Sequence, residues 1–296
     1  MRNRIFTLHY SLMLIPGIVL LVMFNVVPMF GIAMAFKDYL PAMGFWNSEW
    51  VGLDNFQFMF ILPDSKQILF NTIYISVMKI IVHLVVPLIF AIMLYEMRIR
   101  FLKKTIQTIV YLPYFLSWVL FGGAILRVLA TEGLVNQMLG WVGIDPVPFL
   151  SSNQLFPFVL VFTDIWKDFG FGSIIYFAAL AGINSSLFEA AEIDGASRIQ
   201  IIRYITFPSL VPTIMLLAAL SLQNVLNAGF DQVYNLYNPG VYESGDIIDT
   251  YVYRAGLQQA QYSLATAIGL MKSVVSLVLI AISAWMVGRF ANYRIF

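Results

Sequence analysis

The chain has 296 residues and a net charge of +1; 60% of it is hydrophobic, 11% is charged, and the mean hydropathy is +0.82. A soluble domain is about 45–50% apolar and about 25% charged, so a water-soluble globule is excluded. Disorder is excluded as well, since 16% of the residues are aromatic and disordered chains are poor in aromatics. With no cysteine there is no disulfide framework, thiolate nucleophile or cysteine-ligated metal, and the near-neutral charge without a long basic block argues against a nucleic-acid partner. What remains is an all-α polytopic membrane protein.

A membrane-crossing helix needs about 20 mostly apolar residues. Six stretches qualify, at 10–36, 68–97, 105–130, 155–181, 205–228 and 262–290. The runs are continuous rather than alternating, which excludes a β-barrel. The first follows a basic Met1–Arg4. It is too long for a signal peptide and ends without a small-residue cleavage site, so it is expected to be a retained helix. Pro16, Pro28, Pro87 and Pro113 fall inside spans, where each removes a backbone hydrogen bond and can kink its helix. A short interfacial helix is expected over 133–143.

Basic residues set the orientation. With both termini inside, the inner side carries Arg2, Arg4, Arg98, Arg100, Lys103, Lys104, Arg198, Arg203, Arg289 and Arg294. The outer side carries only Lys37, Lys66, Arg127 and Arg254. Trp46, Trp50, Trp141 and the aromatics of 234–253 rim the outer side, as interface anchors do.

The inner segment 184–208 is expected to form a helix, a glycine break and a second helix leading to Pro208. Ser186 suits an N-cap, with Glu189 completing a capping box three residues on. Leu187, Ala190, Ala191 and Ile193 give the first helix an apolar side, and Gly195 suits a left-handed C-cap. A partly apolar helix on such a face calls for a docking partner or the membrane surface.

Within this segment Glu189-Ala190-Ala191, then Gly195, Ile205 and Pro208 resemble the signature loop of ABC importer permeases. That motif is EAA, three residues, Gly, nine residues, Ile, one residue, Leu-Pro. Phe207 replaces the usual leucine. The segments 14–17, 27–39, 50–56, 165–167 and 177–183 resemble the carbohydrate branch, the maltose-type and alginate/lipoprotein-type sugar permeases.

The resemblance implies a type I ABC importer permease fold with six transmembrane helices, N-in and C-in. Residues 1–67 would be an added N-terminal helix and extracytoplasmic loop. Residues 68–290 would be the five-helix transmembrane domain, with 184–208 as the coupling loop, and 291–296 a short cytoplasmic tail. Glu189, Ala190, Ala191, Asp194, Gly195, Ile205 and Pro208 would serve ATPase coupling. A second homologous permease, two cytoplasmic ATPase subunits and an extracytoplasmic substrate-binding protein would complete an importer of a sugar, an oligosaccharide, in a bacterial inner membrane. No GxxxxGK[ST] loop is present, so ATP and Mg would be bound by the partner ATPase. The chain itself would be a transport subunit without a cofactor and not an enzyme.

Polar residues inside spans need partners or water. Span four carries Asp164, Trp166, Lys167 and Asp168, with Lys167 within reach of Asp164 at i,i+3. This cluster suits gating or packing more than sugar contact. Lys79, with His83 one turn on, and Lys272 lie nearer the expected ends of their spans, where lysine snorkels. Gln223, Asn224 and Asn227 can share a helical face, followed by Asp231. Amides suit sugar hydroxyls, and in the resembled family polar residues of this span often face the cavity. These eight, from Asp164 to Asp231, are the candidate substrate pathway. The three span lysines are the cations an acidic oligosaccharide would need, though nothing in the sequence turns them toward one cavity.

A permease for a polyamine, an amino acid or phosphate would share the coupling loop. A secondary transporter would leave it unexplained. His9 and His83 are far apart in sequence, and no catalytic or metal constellation emerges.

Overall fold

The computed structural model describes the backbone of residues 2–290 and the side chains of residues 12–285. Arg2, Arg4, His9, Arg289, Arg294 and the expected tail 291–296 lie outside the described side chains. Among the described residues, four helical stretches are long and apolar enough to cross a membrane: Leu12–Phe36, Ser65–Glu96, Arg198–Asn224 and Tyr262–Trp285. Two bent pairs, Arg100–Phe115 with Trp118–Val128 and Phe156–Ala181 with Ser185–Ile193, bring the number to as many as six.

The described residues fall into two compact units. The first comprises Met1–Ser65 and Tyr251–Ser273. Every residue from 12 to 30 is exposed, among them Met13, Phe24 and Phe30. An apolar surface of that kind is stable only against lipid or another apolar surface. The helix passes through a π turn at Val22–Val26, where Val27 N–H reaches Val22 O just before Pro28. It ends in a short antiparallel pair, Lys37↔Trp50 and Asp38↔Glu49. Lys37, read from sequence as an outer-side charge, is buried: its ammonium donates to Phe45 O at 2.7 Å and lies over the Phe45 and Trp50 rings.

The second unit comprises Lys66–Thr250 and Val274–Phe296. Its main core joins Ile75 of the second span, Phe121 and Ile125 of the third, Phe156 and Leu160 of the fourth, and Ala228, Val233 and Leu236 beyond the fifth. A second core joins Leu88, Ala91, Tyr176, Leu180 and Leu210. Tyr176 O–H donates to Leu84 O at 3.1 Å, near the turn that Pro87 loosens.

The third span is not continuous, as the apolar run suggested. Arg100–Tyr111 ends in a tight turn at Leu112–Phe115 that holds Pro113, and Trp118–Val128 leaves at 104°. Pro113 lacks the N–H that would continue the helix, and Ser117 caps the new one through Leu120 N–H. The expected helix near 133–143 is present as Leu134–Trp141. The fifth span opens with a π turn, Phe207 N–H reaching Ile202 O immediately before Pro208. It ends at Ser221 rather than Ala228, followed by a short 3-10 turn at Leu222–Asn224.

Candidate functional site

The inner loop forms two short helices around a glycine. Ser185–Ile193 starts at Asn184, whose side chain accepts from Ser186 N–H at 3.0 Å. Asn184 therefore takes the cap expected of Ser186, and Glu189 has no capping role. Both residues are good caps, and the extended backbone at Asn184 decides between them. The capping box forms at the next helix: Ser197 Oγ accepts from Gln200 N–H, and Gln200 Oε1 accepts from Ser197 N–H at 2.7 Å.

Between the helices Gly195 has φ +74°, as its place after the EAA helix predicted. Ala196 N–H reaches Ala191 O at 2.9 Å and Gly195 N–H reaches Glu192 O at 3.1 Å, the paired bonds of a Schellman cap. Glu189, Ala190, Asp194, Gly195 and Pro208 are exposed, while Ala191 and Ile205 are half-buried. Leu187, Ile193, Ile199 and Tyr204 are also exposed, so this face presents apolar surface. Arg198 braces it. One guanidinium nitrogen bonds Glu96 at 3.0 Å and another approaches Glu192 at 3.8 Å. Tyr95, Glu96, Glu189, Glu192 and Arg198 line a recess of about 350 Å³ beside it.

Inside the spans the polar groups converge on Lys79. It is buried in the middle of the second span rather than snorkelling from its end. Its ammonium donates to Ala228 O at 2.7 Å and to Gln232 Oε1, and pairs with Asp164 Oδ1 at 3.2 Å. Three donors thus meet three acceptors, as a charge at this depth requires. The other Asp164 oxygen meets His83 Nε2 at 2.8 Å. Lys79 and His83, one turn apart, share the face that reaches this carboxylate. Gln232 donates to Leu160 O and Thr163 Oγ1, both at 2.7 Å.

The expected Asp164–Lys167 pair does not form. The two side chains leave the helix in different directions, because each has a stronger partner elsewhere. Lys167 donates to Tyr114 O at 3.0 Å, lies over the Tyr114 and Trp118 rings, and approaches Asp168 Oδ1 at 3.4 Å. Tyr114 lies in the broken turn of the third span, where carbonyls lack helical donors. One oxygen or nitrogen each from His83, Asp164 and Asp168 lie within 4.8 Å of one another, close enough for a cation. Lys79 and Lys167 already supply positive charge to these carboxylates, which disfavours adding another cation. Trp166 is separate from this set: it packs near Phe121 and Phe162 beside an apolar groove of about 560 Å³.

Gln223, Asn224 and Asn227 do not share a helical face, because the helix has ended. Gln223 and Asn224 lie in the 3-10 turn and Asn227 on the unwound stretch beyond it; all three are exposed, with Asn227 N–H bonded to Asn224 O at 2.8 Å. Gly229, φ +91°, then starts the helix Phe230–Leu236, on which Asp231 is exposed. Gln232 and Thr163 are the polar partners that sequence reasoning missed. A lysine and a histidine one turn apart in an apolar run were the visible sign of such a hub.

Residues 87–292 match the model of the family described as binding-protein-dependent transport system inner membrane component. The chain is 36% identical over 289 residues to the polygalacturonan/rhamnogalacturonan transport system permease protein YteP of Bacillus subtilis (strain 168), covering 97% of this chain and 90% of that one. It is 38% identical over 286 residues to protein LplB of the same organism, covering 96% and 90%. Among solved structures, it is similar to a bacterial ABC transporter involved in the import of the acidic polysaccharide alginate, with TM-score 0.88, 38% identity and 97% of each chain covered. A related structure, the bacterial alginate ABC transporter in complex with alginate pentasaccharide-bound periplasmic protein, has TM-score 0.87 at 38% identity, covering 98% of this chain and 96% of that one. The chain belongs to the binding-protein-dependent inner membrane components, and is a multi-pass permease subunit of an ABC importer.

Proposed function

We propose that this permease moves an oligosaccharide, received from an extracytoplasmic binding protein, through a pathway completed by a second homologous permease. Two cytoplasmic ATPase subunits drive it. The observation that carries the sugar reading is the exposed amide set Gln223, Asn224 and Asn227 on the unwound end of the fifth span. Backbone that leaves the α-helix at membrane depth is tolerated where it lines a cavity, and amides there bond hydroxyls at little cost in charge. Asp231 adds an acceptor at the same end. Lys79 and Lys167 are buried against protein acceptors, so they lend nothing to an acidic cargo. What supports one is the cargo named for the relatives, polygalacturonan, rhamnogalacturonan and alginate.

The EAA helix serves as the coupling element. Its exposed apolar side chains, the Gly195 turn and the Arg198 brace make a rigid knob suited to a cleft in an ATPase subunit. In this reading residues 68–290 act as the transport domain and 1–67 as an added membrane anchor.

The test is uptake by proteoliposomes holding the full transporter, with ATP inside and the binding protein outside. Oligogalacturonides, alginate oligosaccharides and maltooligosaccharides are compared with an amino acid, a polyamine and phosphate. ATP-dependent accumulation of a saccharide is expected. Accumulation of only a non-sugar solute would overturn the cargo, and uptake without ATP would overturn the coupling.

A further inference from the structure

We infer that Lys79 is a positioning residue that clamps the unwound end of the fifth span, where the proposed substrate amides sit, onto the second and fourth spans. The inference rests on the sugar-pathway reading for its consequence in transport, but its geometry stands apart from the cargo.

Neutralising Asp164 would require only one contact from the lysine. Lys79 makes two more, to Ala228 O and Gln232 Oε1, on either side of Gly229. Gly229 holds φ +91°, and a Cβ there would come 3.1 Å from the Lys79 ammonium nitrogen. The chain therefore turns through a conformation that favours glycine, at the point where it meets the lysine. Gln232, fully buried, carries the clamp onward to Leu160 O and Thr163 Oγ1 of the fourth span. Upstream of this anchor lie Gln223, Asn224 and Asn227, exposed and outside any α-helix. Beyond the α-helix the stretch is held by the 3-10 turn, the buried side chain of Leu226 and this anchor.

The clamp also links the stretch to the charges of the fourth span. Asp164 receives Lys79 and His83, and Asp168 receives Lys167. A displacement of the stretch must therefore break charge-assisted bonds, which are stronger than neutral ones.

The chain contains no cysteine, so one introduced thiol reports one position in this subunit, read from its own gel band. Leu226→Cys is the probe, 4% exposed within the same stretch, and Leu210→Cys, buried in the second core away from the clamp, is the control. Both are made in the full transporter and labelled with a water-soluble maleimide. Two backgrounds are compared with wild type. Lys79→Met/Asp164→Asn removes both charges together, so that neither is left buried alone. Gln232→Leu keeps the ion pair and removes only the clamp's amide. Labelling at residue 226 is expected to rise roughly tenfold in the double variant and by less in Gln232→Leu, with the control unchanged, as loss of charge-assisted hydrogen bonds implies. The half-saturating saccharide concentration should rise with it while membrane levels hold.

Labelling at 226 in Gln232→Leu within about twofold of that in the otherwise unchanged chain would overturn the clamp, since that is the range of a weak hydrogen bond. An equal rise at 226 and 210 would also overturn it, because general loosening of the bundle would then be the cause. Gln232→Leu decides the matter if the double variant fails to assemble. Labelling as expected, alongside a probe-free wild-type transporter that moves no saccharide, would overturn the cargo and leave the clamp standing.

Discussion

Gly170 of the fourth span lies against the backbone of Val110 in the third. A Cβ at 170 would come within 2.5 Å of the Val110 carbonyl oxygen. No rotamer change relieves a clash with backbone, so the spans would have to separate just before the break at Leu112–Phe115. Gly170→Ala is expected to destabilise the bundle by about 1–3 kcal/mol, the usual cost of overpacking. The check is the melting temperature of the purified transporter in detergent; an unchanged value would rule out this close approach.

Gly195 presents the opposite case. A Cβ there meets nothing within 4 Å, yet φ is +74°. The constraint is conformational alone. Gly195→Val should strain the Schellman cap by about 1–3 kcal/mol and reorient the EAA helix without disturbing the membrane bundle. ATP-driven uptake should be lost while the amount of permease in the membrane is kept. Normal uptake by this variant would contradict the coupling assignment.

Asn184 and Ser186 compete for the same cap, and the structure awards it to Asn184. Asn184→Ala should therefore weaken the EAA helix by about 1 kcal/mol, and Ser186→Ala by much less. Hydrogen exchange of the 186–190 amides would separate the two, with faster exchange expected only in the first.

Arg198 joins the loop to Glu96 at the end of the second span. Half-exposed ion pairs contribute only about 0–1 kcal/mol, so Arg198→Ala should leave thermal stability nearly unchanged. If the brace transmits ATPase motion, uptake per ATP hydrolysed should fall. A parallel loss of stability and uptake would point instead to a structural role.

Asn227 and Gln223 are exposed and make no side-chain packing core, so alanine at either should leave assembly intact. Losing one hydrogen bond to a sugar hydroxyl should raise the half-saturating saccharide concentration roughly tenfold. Uptake titrations measure it, and unchanged saturation in both variants would remove these amides from the pathway.

Much of the inner loop was legible because its chemistry is local. A left-handed glycine and its two reaching bonds involve six consecutive residues, so spacing alone carried the Gly195 turn. The choice between Asn184 and Ser186 was not legible, since both side chains cap well and only the backbone angle separates them. Apolar length likewise marked the spans at 65–96 and 262–285, but said nothing of the 104° break in the third. There Pro113 gave a hint, and the bend is held by Lys167 donating from the fourth span to Tyr114 O.

By itself the sequence determined a helical membrane protein, the approximate places of its spans, and an inner loop turned at Gly195, since these follow from composition, length and bonds between near neighbours. Only the tertiary structure decided which charges neutralise which. Asp164 has Lys167 three residues away and pairs instead with Lys79, 3.2 Å distant in space and remote in sequence. In a medium without water a buried ion takes the arrangement that satisfies every donor and acceptor at once. That condition involves three separated segments, and folding alone brings them together.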